Sequence, residues 1–483
     1  MKLDHSKVPI YDALKHLIEA ETIPFDVPGH KRGKGNKLLQ EFLGERACKF
    51  DVNSSKSIDN AMHPVGVIRE AEQLMADAFG SDEAFLMVNG TTSAVQAMIM
   101  AACKEGEKII LPRNVHKSAI NALIISGAIP VYINPGINHQ LGISLGISIE
   151  DVKQTIEENP DAKAIFIINP TYYGICSNIK EIVKIAHEYE MLVLVDEAHG
   201  THFYFGDNSP FGGIQLGADM CALSMHKTGG SLTQSSVLLV QNKYINPHYV
   251  RSIINITQTT SSSYLLLTSL DLSRKQLVEN GSEMVNNCIK LAEYAREKID
   301  EIGGYIIFSK DLINGNTIAG LDVTKLSINV SNIGLSGFEI GEILREEYKI
   351  LIEYGDANNF MCVISLGDTL ESINKLVEAL KDIKEKYQSD KIEVPKLEFI
   401  VPEVSITPRE AFYARKIPVL FKESENLVSG EFVMCYPPGI PVIAPGEIIS
   451  KEAINYILYS KAKGSLVTGT EDLTNEYINI LVY

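Results

Sequence analysis

The chain has 483 residues, of which 45% are hydrophobic and 22% charged, the make-up of an ordinary globular protein and too long for one simple core. Lys and Arg number 44 against 61 Asp and Glu, a formal net charge of −17. That balance disfavours nucleic acid and anionic membranes as partners and would attract a small cationic molecule. No apolar run is long enough to span a bilayer, and residues 1–17 lack the apolar centre of a signal peptide. Both features point to the cytoplasm. The seven cysteines are scattered, odd in number and form no CxxC pair, which argues against a disulfide framework and against a metal site.

In chain order, residues 11–20 read as a helix, followed by an extended arm over 25–33 with turn signals at Pro28-Gly29 and Gly33-Lys34-Gly35. A helix over 67–79 carries the apolar stripe Val67, Ala71, Leu74, Met75 and Ala78. Apolar runs then fall at 84–88, 108–111, 129–133, 164–168, 191–195, 221–225 and 237–240, and helical stretches at 93–103, 117–126, 149–158 and 179–190 separate most of them. Strands buried on both faces read as continuous apolar runs. Their alternation with helices predicts an α/β domain around a mostly parallel seven-stranded sheet.

Helix and arm occupy 1–40, and this large domain 41–279. A long helix over 280–302 leads into a smaller α/β domain, 280–387. Its strands fall near 304–308, 326–330, 350–353 and 361–365, and its helices at 338–347 and 370–386. Residues 388–402 read as a linker. A C-terminal α+β domain, 403–483, contains the run CYPPGIPVIAPGE, whose prolines and glycines are incompatible with a long helix.

In doubly wound sheets ligands sit beyond the carboxyl ends of the strands. Asn89-Gly90, Arg113-Asn114, Asn169-Pro170, Asp196 and the segment from Ser224 to Lys227 all fall there. Asp196 ends the run MLVLVD and opens DEAHG. Lys227 lies in ALSMHKTGGSLTQSS, residues 222–236, after an apolar run and before two glycines. Taken singly, each reads as an ordinary strand-end residue. Together they are what pyridoxal phosphate chemistry needs. The lysine forms a Schiff base with the aldehyde, and the aspartate keeps the pyridine nitrogen protonated so that the ring acts as an electron sink. The opposite charge of that ring would keep Asp196 ionised.

Residues 88–93, VNGTTS, link a strand to a helix. Gly90 permits a tight turn, and Thr91, Thr92 and Ser93 offer hydroxyls beside the amides of a helix start, which suits a phosphate or a plain cap. Ser224 and His226 read as strand positions of period two that face one way. Ser224 would then serve the phosphate, and His226 the phosphate or its support. His199 reads equally as a residue on the substrate side or as structural packing.

DEAHG followed by SxHKxGGSLTQSS resembles the Orn/Lys/Arg decarboxylase family. PGHK in the arm, NPTYYG, TSSSYLLLTSLD and YPPGIP agree with it, so the likeness runs from Pro28 to Glu447. It is nearest to the short, Gram-positive arginine decarboxylase type. The resemblance implies an aspartate-aminotransferase-like fold and pyridoxal phosphate on Lys227. It implies that Gly90, Thr91 and Thr92 bind the phosphate, and that His116, in PRNVHKS, stacks on the pyridine face. It implies that Thr259 reaches the phosphate of a neighbouring subunit, which makes the active unit at least a homodimer.

The activity implied is decarboxylation of a basic amino acid, arginine to agmatine ahead of lysine or ornithine, feeding polyamine synthesis. Two stretches depart from the family pattern, Asn426-Leu427 and 59–62, and both bear on substrate identity. The residues alone leave transamination or elimination open. Arg251, Arg274, Arg345, Arg409 and Arg415 are candidate clamps for a substrate carboxylate. Glu353, Asp356 and Glu431 read either as anchors for a cationic side chain or as solvated surface acids. A non-catalytic paralogue is the third reading, and the intact Lys227 and Asp196 argue against it.

Overall fold

The structure, a computed structural model, describes residues 3–390, 403–436 and 439–482. From residue 391 on, the linker expected over 388–402 lies outside them, as do Pro437 and Pro438 of the Pro/Gly-rich run. All seven apolar runs of the large domain form strands: β1 (Glu83–Met87), β2 (Lys108–Pro112), β3 (Ile129–Ile133), β4 (Ala164–Ile168), β5 (Leu192–Asp196), β6 (Met220–Leu223) and β7 (Ser236–Val240). Their order in the sheet is β1-β7-β6-β5-β4-β2-β3. β2 runs parallel to β3 and β4, and β5 parallel to β6. β7 is antiparallel to both β6 and β1. Every residue of β6 and β7 is buried, which is why these strands read as unbroken apolar runs.

The helices are α1 (Pro9–Glu19), α2 (Val67–Phe79), α3 (Gly90–Ala102), α4 (Lys117–Ser126), α5 (Ile149–Glu158), α6 (Ile179–Glu188), α7 (Met225–Thr228) and α8 (Tyr264–Ile302). Their starts carry the expected chemistry. His116, Ser148 and Asn178 cap α4, α5 and α6 by accepting backbone N–H bonds. The helix expected from residue 280 begins instead at Tyr264 and runs for 39 residues. Gly281 lies inside it, and a Cβ there would lie 2.9 Å from Phe205 Cβ, so the glycine serves close packing.

The chain divides into two compact units. The first holds Met1–Ala102, Leu192–Asp207 and Phe211–Val285; the second holds Cys103–Met191, Asn208–Pro210 and Asn286–Tyr483. The second unit contains an antiparallel sheet of β8 (Ile306–Ile307), β9 (Lys325–Asn329), β10 (Tyr354–Gly355) and β11 (Asn359–Val363), in the order β8-β9-β11-β10. With it go α9 (Gly337–Tyr348) and α10 (Leu370–Tyr387). The strand expected at 350–353 is displaced. Lys349 ends α9 in a left-handed conformation, Leu351 is 79% exposed, and pairing begins only at Tyr354 opposite Met361.

The C-terminal segment adds β12 (Lys416–Leu420) paired with β15 (Tyr477–Leu481), β13 (Met434–Tyr436) paired with β14 (Leu466–Thr468), and α11 (Lys451–Ala462). Phe421, Val433, Ile443, Ile454 and Ile478 form its core. The segment is tied to the end of β2. Arg113 donates to both oxygens of Glu447 at 2.8 and 2.7 Å and to the Pro441 carbonyl at 2.9 Å.

None of the seven cysteines forms a disulfide, and all but the half-buried Cys362 are buried. Burial is the first cause that pushes the thiols of Cys103 and Cys362 up to about 12, and those of Cys288 and Cys435 up to about 11. No helix among the described residues is long and apolar enough to cross a membrane.

Candidate active site

The first unit brings several of the expected residues to one edge of the sheet. Asp196 pairs with Ala222, Leu223 with Val237, and Met87 with Ser236. That register puts the carboxyl ends of β5, β6 and β1 at one edge, with the start of the reversed β7 between β6 and β1 and α3 beginning beyond β1. Gly90 turns with a φ of +75° and its N–H donates to Gln234 O at 2.9 Å. Only a residue without a Cβ adopts this conformation at little cost.

Ser224 and Lys227 are not strand residues. β6 stops at Leu223, Ser224 is the N-cap, and α7 is a single helical turn. The period-two relation between Ser224 and His226 therefore fails, because the backbone winds once the strand has ended. The four residues of this turn, Met225 to Thr228, carry too little period to separate the two conformations. What the turn achieves is different. Ser224 Oγ lies 2.5 Å from Thr91 Oγ1, which in turn lies 2.8 Å from Ser236 Oγ, so three buried hydroxyls meet at the start of α3. His226 turns away, its Nδ1 2.9 Å from the Ser235 carbonyl, a contact that requires the proton on Nδ1. Thr92 is exposed and outside this cluster.

Lys227 is half-buried, and its Nζ sits 2.9 Å from Nε2 of the buried His199. An ammonium only donates, so Nε2 is the acceptor. Asp196 is buried and accepts one hydrogen bond from the described residues, from the Ala198 N–H at 3.2 Å. Burial pushes its carboxyl above the ordinary value, and the Lys227 charge and the Ala198 amide pull only part of the way back. The neighbouring Glu197 is spent on structure, accepting from Gly213 N–H at 2.8 Å and Tyr204 O–H at 2.6 Å. A desolvated carboxylate with unused acceptor capacity, a lysine and a hydroxyl cluster at a helix start fit the three ends of pyridoxal phosphate: ring nitrogen, aldehyde and phosphate.

The other expected residues lie elsewhere. In the second unit, His116 caps α4, with Nδ1 2.8 Å from Ser118 Oγ and 3.2 Å from the Ser118 amide. Thr259 is exposed, and its Oγ1 accepts from the Ser261 amide at 3.2 Å. Four of the candidate clamp arginines have internal partners: Arg251 holds Glu72, Arg274 holds Asp271, Arg345 holds Glu342, and Arg409 holds the carbonyls of Ile124 and Ile125. Arg415 is exposed. Asp356 is no surface acid. It is buried and bound by the Tyr173 hydroxyl and the amides of Asn358 and Asn359. Glu431 accepts from Asn479 and the Glu471 amide, and Glu353 is exposed. Ser236 was missed. Its one signal is a hydroxyl placed immediately before the apolar run 237–240.

The class that this fold defines is the α/β enzyme of aspartate-aminotransferase type. Residues 8–372 match the Orn/Lys/Arg decarboxylase major domain and residues 396–472 its C-terminal domain. The chain belongs to the Orn/Lys/Arg decarboxylase family. It is 40% identical to the arginine decarboxylase of Bacillus subtilis (strain 168), over 99% of both chains. Its fold resembles the constitutive lysine decarboxylase of E. coli with a TM-score of 0.84 at 19% identity, covering 99% of this chain and 82% of that one. A more distant likeness, with a TM-score of 0.51 at 17% identity over 66% of this chain and 76% of the other, is to a structure of SPT with PLP. Family and neighbours imply a decarboxylase that depends on pyridoxal phosphate.

Proposed function

We propose that the protein converts L-arginine to agmatine and carbon dioxide in the cytoplasm, as a homodimer or larger assembly, and so feeds polyamine synthesis. The observation that carries the reading is the 40% identity to an arginine decarboxylase across 99% of both chains. Lys227 would hold the cofactor aldehyde, Asp196 the ring nitrogen, and Gly90, Thr91, Thr92, Ser224 and His226 the phosphate or its surroundings. His116 would cover the ring face, and Thr259 would serve the phosphate of a second subunit. The cofactor supplies an electron sink for the charge left on Cα when a group departs.

The chain's own residues do the rest. A carboxylate pushed up by burial is restored to its charged form by a cationic partner, so Asp196 both binds the ring and keeps its nitrogen protonated. His199 accepts a hydrogen bond from Lys227 Nζ, which orients the amine and sets a proton acceptor beside it. Of the candidate clamp arginines, Arg251 and Arg274 are taken up by the buried carboxylates Glu72 and Asp271. Domain boundaries at 41–279, 280–387 and 403–483 complete the proposal.

The test is purified protein with arginine, lysine and ornithine in turn, following carbon dioxide and amine, with Lys227→Ala as control. Agmatine from arginine alone, lost in the control, is the expected result. Cadaverine or putrescine would keep the reaction and change the substrate. An oxo acid in place of an amine would overturn decarboxylation.

A further inference from the structure

We propose that Gly439 is a positioning residue that sets the plane of the His116 imidazole, with the Arg113–Glu447 pair holding Gly439 in place. The inference rests on the reading of His116 as the residue on the cofactor ring face.

The imidazole is fixed on one edge by its own helix. Nδ1 accepts the Ser118 N–H at 3.2 Å, so the neutral ring carries its proton on Nε2. The opposite edge meets Gly439. A Cβ added there would lie 2.6 Å from Nε2 and 2.8 Å from Cδ2 of His116, closer than non-bonded atoms approach. No side chain fits at 439 while the ring keeps its place.

The backbone at 439 is itself anchored. The Gly439 carbonyl accepts the Lys117 N–H at 2.9 Å. Two residues on, the Pro441 carbonyl accepts from Arg113. Glu447, gripped through both oxygens by Arg113, closes the turn by accepting the Ala444 N–H at 2.7 Å. The Arg113 and Glu447 side chains are 4% and 2% exposed. Burial works against the guanidinium charge, and the Glu447 carboxylate more than restores it. A substitution at 439 therefore presses on the imidazole, a side chain that can rotate, while the carbonyls of Gly439 and Pro441 are held by hydrogen bonds. A ring held at both edges has lost its rotational freedom before the cofactor arrives, and that preorganisation strengthens binding.

The test is a double-mutant cycle on cofactor-stripped protein titrated with pyridoxal 5'-phosphate. It uses Gly439→Ala, His116→Asn and the pair. Asn keeps an acceptor for the Ser118 amide but ends short of Gly439. Gly439→Ala should weaken binding on the order of tenfold, through a ring forced off its rotamer, and should shift the visible band of the bound cofactor. In the His116→Asn background the same change should cost less than about twofold, because the shared contact is gone. Unchanged affinity in Gly439→Ala, or an equal loss in both backgrounds, would overturn the inference and leave the His116 reading intact. If His116→Asn itself changes neither affinity nor band, it is the His116 reading that fails. Should Gly439→Ala alone not fold, recovery of cooperative melting in the pair would support the crowding, and a pair that melts as badly would refute it.

Discussion

At the scale of single residues, charge that is buried and only partly matched marks the working groups. Asp196→Asn keeps the shape of the side chain and removes its charge. A charge-assisted hydrogen bond is worth about 1.5–3 kcal/mol, so cofactor affinity should fall on the order of 10- to 100-fold, measured by equilibrium dialysis. Asp59 carries the opposite lesson. Its carboxylate accepts the N–H groups of Asn60, Val65, Gly66 and Ile68 at 2.8–3.1 Å, and so caps α2 from outside the helix. Burial opposes its charge, but the four amides outweigh it and hold the carboxyl below its ordinary 3.8. A depressed carboxyl gives stability that is present above the unfolded value and is lost as pH falls through the lower folded one. Asp59→Ala should cost about 1–2 kcal/mol at pH 7, and urea midpoints of variant and parent should converge below that range. In sequence this segment read as an oddity bearing on substrate. Its role was hidden because its partners are backbone amides up to nine residues away.

At the scale of elements, the turn carrying Lys227 is where pattern reading failed and packing decided. Turn α7, Met225–Thr228, follows β6 directly, and four residues cannot display a period. All the strands but the half-buried β3 at the end of the sheet were legible because burial on both faces leaves no polar interruption. The site's carboxylate and lysine were legible because they interrupt those runs at one end. Gly229 shows how tightly α7 is seated. A Cβ there would come within 2.8 Å of the Met225 carbonyl and 2.9 Å of Thr201 Cγ2. Neither neighbour is a flexible tip, so Gly229→Ala must displace the turn itself. Cofactor occupancy should drop on the order of tenfold, while far-ultraviolet dichroism, which reports the undisturbed helices, stays unchanged.

At the scale of the whole molecule, the pairing of Arg113 with Glu447 joins residues 334 positions apart. No local pattern reveals such a pair, because its two partners come together only through the fold. Removing one partner of a buried pair strands the other charge at about 3–5 kcal/mol, whereas replacing both by apolar residues is often close to neutral. Glu447→Gln should therefore lower the melting temperature more than the double change Arg113→Met with Glu447→Leu, as scanning calorimetry would record. The cysteines carry a practical consequence. Six of the seven thiols are buried, the half-buried Cys362 is pushed up to about 12, and buried or protonated thiols react slowly, so brief maleimide treatment of the native protein at pH 7 should leave its intact mass almost unchanged. A single cysteine placed at the 92% exposed Leu473 would then take a fluorophore without first deleting any of the native seven. The chain comes ready for single-molecule spectroscopy, its own thiols silent in the background.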